Sequence, residues 1–144
     1  MVSIPSLPEK IWRTRVENDI LESKDYGDKV IRNGDLSLEF VFDKKILMYS
    51  GDTSVKNADR MVFQVILTRD YPYPGSISVK ALKPIFHPNI HPVTGFVCTA
   101  VMKKWTTANS LHSLYLALDQ LLVNPNPDDP LNLDAADYWK KNKI

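Results

Sequence analysis

The chain has 144 residues, 44% apolar and 24% charged, with a formal net charge of +1. That length supports a single domain over residues 1–144 with its own core, and so small a net charge excludes a general pull toward nucleic acid or a membrane surface. No run of 18 apolar residues is present, Met1–Lys10 lacks the pattern of a secretory signal, and one cysteine points to a reducing, cytoplasmic or nuclear setting.

Ser6-Leu7-Pro8 reads as a helix start. Trp12, Val16 and Ile20 then recur every four residues, with Ile11 beside them and charges between, so an amphipathic helix is predicted up to about Ser23. Leu36, Leu38, Phe40 and Phe42 alternate with other residues as in a half-buried strand. Further strands are predicted near 46–49, over 61–68 and over 77–82, the four forming an antiparallel meander with one face open to helices. From Lys83 to Thr107 no period holds, and Pro84, Pro88 and Pro92 oppose regular structure. A loop of about 25 residues is uncommon in a compact domain unless it is functional. Leu111, Leu114, Leu118, Leu121 and Leu122 mark the next helix, with Thr107 or Asn109 as its expected cap. Asn124-Pro125-Asn126-Pro127 ends it, and a last short helix is predicted over about 133–141. The expected class is α+β.

Cys98 lies in the long loop, nine residues after His87-Pro88-Asn89. As the chain's one cysteine it cannot form an internal disulfide, which leaves an inert core thiol or a nucleophile. Loop placement favours reactivity. A cysteine hydrolase needs a histidine to activate the thiol, and His87, His91 and His112 do not stand in any recognisable protease signature. One cysteine among scattered histidines does not supply a metal site, so no metal is expected.

Read in order, Tyr71-Pro72-Tyr73-Pro74, Phe86-His87-Pro88-Asn89-Ile90, Gly95-Phe96-Val97-Cys98, Trp105 and Asn124-Pro125-Asn126-Pro127-Asp128-Asp129-Pro130-Leu131 resemble the ubiquitin-conjugating enzymes over roughly residues 8–141. The resemblance implies a helix, a four-stranded antiparallel meander, an active-site loop, a crossover helix and a short C-terminal helix, without the family's last helix. It implies that Cys98 takes the C-terminal carboxyl of ubiquitin or a ubiquitin-like modifier from an activating enzyme and passes it to a substrate lysine, usually with a ligase. A thioester is already activated, so the thiol needs no dedicated base and no cofactor is expected.

By the same resemblance, Asn89 stabilises the tetrahedral oxyanion through its amide or holds the loop. Asp129 orients the incoming lysine and favours its deprotonation, with Asp128 the lesser candidate. His87 pins the loop and Trp105 supports it. Tyr73, Thr107 and Ala108 match ligase-facing positions; Lys10, Arg13 and Arg15 lie on the helix that meets the activating enzyme. A monomer is expected. The sequence departs from the family at Thr99, at Trp105-Thr106-Thr107 where Trp-x-Pro is usual, and in the loop lengths on either side of Cys98. Asp129–Ala136 is nearer to the neddylation-pathway members. An inactive member that serves as a binding module is the alternative reading.

Overall fold

The computed structural model describes residues 6–50, 54–97 and 100–141. Helix α1 spans Glu9–Ser23. Pro8 stands just outside it as the N-cap and supplies no side-chain cap. Trp12, Val16 and Ile20 are buried along one face, whereas Ile11 stays exposed. A 3-10 turn over Lys24–Lys29 leads into the sheet.

Among the described residues six strands follow: β1 Val30–Gly34, β2 Ser37–Phe42, β3 Ile46–Ser50, β4 Ser54–Ala58, β5 Met61–Leu67 and β6 Ile77–Ala81. The main sheet is antiparallel and four-stranded, in the order β1-β2-β5-β6. Its membership differs from the expected meander. β1 takes the edge, while β3 pairs with β4 in a separate two-stranded sheet. The reason lies in the pairing: β2 already has β1 on one side and β5 on the other, with Phe40 opposite both Val30 and Phe63. β3 therefore has no edge of β2 to join. Instead Met48 bridges Ile85, and the Tyr49 N–H donates to the Pro84 carbonyl at 2.9 Å.

The inner face of the sheet supplies Leu38, Phe40, Phe42, Met61, Phe63, Val65 and Val79 to the core. Against it packs the crossover helix α3, Leu111–Val123, through Leu111, Leu114, Tyr115, Leu118 and Leu122. This apolar burial is the main favourable term holding the two layers together. The cap of α3 is Ser110, not Thr107 or Asn109. The Ser110 hydroxyl accepts from the Ser113 N–H at 3.5 Å, and the Ser113 hydroxyl accepts from the Ser110 N–H at 2.8 Å. A four-residue turn of helix, α2 (Ala100–Lys103), precedes α3, and α4 (Leu133–Lys141) follows it.

Candidate functional site

The long loop is irregular but tied down. After β6 the chain turns back, and residues 90–97 fold onto it. Lys80 bridges Phe96, Ile90 bridges Val97, and the Val97 N–H donates to the Val79 carbonyl at 3.2 Å. The turn requires Gly95, whose φ is +78°; a Cβ there would stand 2.7 Å from the Ala81 carbonyl oxygen. Gly95→Ala is accordingly expected to cost about 1–3 kcal/mol, read as a lower urea midpoint. An unchanged midpoint would show that the turn has another way to close.

This segment delivers the chain to Cys98. Cys98 and Thr99 lie outside the described residues, and α2 resumes two positions later at Ala100. The expectation of an altered loop geometry around the thiol therefore falls partly outside them too.

On the near side stands His87, 3% exposed. Its Nδ1 accepts from the Asn89 N–H at 3.0 Å, and its Nε2 lies 2.8 Å from the Leu121 carbonyl oxygen. A carbonyl only accepts, so Nε2 carries the proton and the ring is the neutral Nε2–H tautomer. Burial pushes its pKa down to about 4, opposed by the Leu121 carbonyl. Both ring nitrogens are thereby engaged, and the ring joins the loop to α3.

Asn89, also 3% exposed, joins the loop to the segment after α3. Its Nδ2 donates to the carbonyls of Asn126 at 2.8 Å and Asp129 at 3.2 Å, while its Oδ1 accepts from the Asn126 N–H at 2.8 Å. Both amide protons have partners. The Leu131 and Asn132 N–H groups add a second tie to the Pro88 carbonyl, at 2.7 and 3.1 Å. Nothing in the spacing of the sequence pointed to this bridge, because it joins residues 37 and 40 positions apart.

Asp129 is held at the mouth of this loop pair. Its carboxylate, 63% exposed, pairs with the Lys103 ammonium of α2. Asp128, 87% exposed, lies 3.9 Å from the Lys140 Nζ of α4. Sequence reading overlooked Lys103, and also Asn132. The buried Asn132 caps α4, its Oδ1 accepting from the Ala135 N–H at 3.1 Å, and donates to the Tyr49 hydroxyl at 2.8 Å. An Asn three residues before a helical alanine was the available signal.

Trp105 is buried, and its Nε1–H donates to the Pro72 carbonyl at 2.7 Å. This brings the segment of Tyr73 beside that of Thr107 and Ala108, which are exposed. The basic residues of α1 divide. Lys10 is exposed. Arg13 forks onto Asp35 at 2.9 and 3.0 Å. Arg15 turns inward, bonding Asp19 at 2.7 Å and the carbonyls of Thr107 and Asn109 at 2.9 and 2.6 Å. The Tyr71 hydroxyl donates to the same Asp19, its pKa raised by burial and by that carboxylate. Among the described residues, no three His, Cys, Asp or Glu side chains gather closely enough to hold a metal ion, and no helix is long and apolar enough to cross a membrane.

Known proteins share this plan. Ubiquitin-conjugating enzyme E2 N of Drosophila melanogaster is 40% identical over 81 residues, 56% of this chain and 52% of that protein. Ubiquitin-conjugating enzyme E2 13 of Schizosaccharomyces pombe is 33% identical over 100 residues, 69% of this chain and 66% of that protein. These matches thus span about half to two thirds of the length of those relatives. Among solved structures, S. cerevisiae Ubc12 superposes with a TM-score of 0.70 at 27% identity, over 96% of this chain and 75% of that one. The model of the ubiquitin-conjugating enzymes matches residues 15–144, a stretch that runs from within α1 through every strand and both loops described above. On that match, supported by the shared fold, the chain belongs to the ubiquitin-conjugating enzyme family.

Proposed function

We propose that residues 1–144 act as one conjugating domain that accepts ubiquitin or a ubiquitin-like modifier as a thioester on Cys98 and transfers it to a substrate lysine. The observation that carries this reading is the Asn89 bridge. It fixes the segment bearing Asp129 against the loop that runs on toward Cys98, so an acid is carried on a segment tied to that loop. A general base for the thiol is not required, since a thioester is exchanged between sulfurs. This agrees with a neutral His87 whose ring nitrogens are both engaged.

In this mechanism Asn89 acts first as a clamp. For its amide to reach an oxyanion, one of its two carbonyl partners would have to be released. Asp129 offers a carboxylate to the incoming ammonium, which orients it and accepts its hydrogen bond as the proton is lost to solvent. His87 and Trp105 hold the loops. Tyr73, Thr107 and Ala108 form a surface suited to a ligase, and Lys10 one suited to an activating enzyme. Arg13 and Arg15 serve the fold before any partner, given their internal bonds. The chain works as a monomer in the cytoplasm or nucleus.

The names of the relatives favour ubiquitin as the modifier. The segment Asp129–Ala136 keeps the neddylation modifier as a second reading.

The test is charging. The chain is mixed with activating enzyme, ATP and either modifier, then run on a non-reducing gel. An adduct that disappears with thiol reductant is expected. Cys98→Ser should replace it with a reductant-resistant ester, because oxygen takes the acyl group but resists thiol exchange. No adduct with any modifier tested would leave the inactive, binding-only reading in its place.

A further inference from the structure

The carboxylate that the acceptor lysine needs is already taken by the chain itself. Lys103, at the end of the helical turn α2, sets its ammonium on Asp129. Lys140 of α4 lies against the neighbouring Asp128. Both acids of this loop thus face ammonium groups from two other elements. The loop is not free to swing away from them. The Asp129 carbonyl is held by Asn89 at 3.2 Å, and the Leu131 N–H by the Pro88 carbonyl at 2.7 Å. The group that meets Asp129 is chemically the same as an incoming lysine side chain. Two ammonium ions on one carboxylate repel each other, so each weakens the hold of the other.

We propose that Lys103 is a positioning residue that competes with the substrate lysine for Asp129 and so sets how much acceptor amine the transfer step requires. The proposal rests on the thioester reading given above. In that step the neutral acceptor nitrogen attacks the thioester carbonyl carbon. The C–N bond forms, the C–S bond breaks, the electron pair leaves with the Cys98 sulfur, and the amine proton passes to solvent. Lys103 makes and breaks no bond here and acts only through Asp129. The pair is 51% and 63% exposed. Exposed pairs are weak, so its removal changes half-saturation by about two- to fivefold, not by orders of magnitude.

The experiment loads the full chain with modifier, quenches the activating enzyme, and follows discharge against free lysine concentration, normalised to thioester present at the start. Lys103→Gln is expected to reach half its maximal rate at about two- to fivefold lower lysine, with the maximal rate unaltered. Lys103→Arg keeps the charge but offers no acceptor amine, and it is expected to restore the wild-type half-saturation. In an Asp129→Asn background, Lys103→Gln should add nothing. An unchanged half-saturation in Lys103→Gln, or a loss of maximal rate, overturns the proposal. So does Lys103→Arg behaving like Lys103→Gln, which would mean that Lys103 competes as an acceptor. Absence of any thioester before lysine is added overturns the thioester reading and this one with it, and that failure is visible at the loading step.

Discussion

Asn89→Ala is expected to slow transfer from the Cys98 thioester about 100-fold and to lower stability by about 2–4 kcal/mol. The substitution removes one side chain but leaves three backbone groups without a partner: the N–H and carbonyl of Asn126 and the carbonyl of Asp129. An unmade buried hydrogen bond costs about 1–3 kcal/mol. Asn126 and Asp129 lie on an exposed loop, so water recovers part of that cost. The transfer defect follows from geometry, because a shift of about 1 Å in a positioning group can lower a rate about 100-fold. Discharge from preformed thioester and urea unfolding together decide the role of Asn89. Slow transfer with undiminished stability would overturn the clamp and leave oxyanion stabilisation. Asn89→Asp points a carboxylate oxygen at two carbonyls and should be at least as damaging.

Acidification from pH 6.5 to about 4 is expected to cost the fold about 3 kcal/mol through His87 alone. The native ring is kept neutral by burial, with a pKa of about 4, against 6.5 as the ordinary value. Between those two values the unfolded chain binds a proton that the native chain does not. The stability is therefore fully present above pH 6.5 and is lost as pH falls toward 4, at about 1.4 kcal/mol per pH unit. Net stabilities of small domains are about 5–15 kcal/mol, so this is a large share. The carboxylates act lower. Glu17 beside Arg32, Asp35 beside Arg13 and Asp43 beside Lys29 are all held below their ordinary values. Their contributions are lost only as pH falls beneath the usual carboxylate range, which separates the two windows. Urea unfolding at a series of pH values should show the slope in the wild type and its loss in His87→Gln. Persistence of the same slope in His87→Gln would assign it elsewhere.

Both predictions arise from contacts between segments far apart in the chain, and that bears on how much the residues disclosed unaided. Helix α1 was legible because Trp12, Val16 and Ile20 recur at the helical period, and burial keeps that period in the structure. β2 and β5 were legible because Leu38, Phe40, Met61 and Phe63 alternate with less buried neighbours. β1 and β4 were not. β1 buries only Val30, and β4 is exposed along Ser54–Asn57, so neither carries an apolar alternation. Their strand character comes from partners: Arg32 opposite Leu38, and Val55 opposite Tyr49. The cap at Ser110 was missed because Thr107 and Asn109 are equally good capping types. The choice depends on where the helical hydrogen bonds begin.

The order of motifs by itself determined the class of fold, the core faces of the long elements and the family, because periodicity and motif spacing are properties of the chain. It also singled out His87, Asn89, Cys98 and Asp129 as the residues of interest. Tertiary structure decided what the described ones touch. It joined Asn89 to Asn126 and Asp129, closed His87 onto Leu121, bonded Arg15 to the Asn109 carbonyl, and set Lys103 on Asp129. None of these pairs has a sequence signature, since each depends on how two layers pack and on which polar groups that packing leaves to be satisfied.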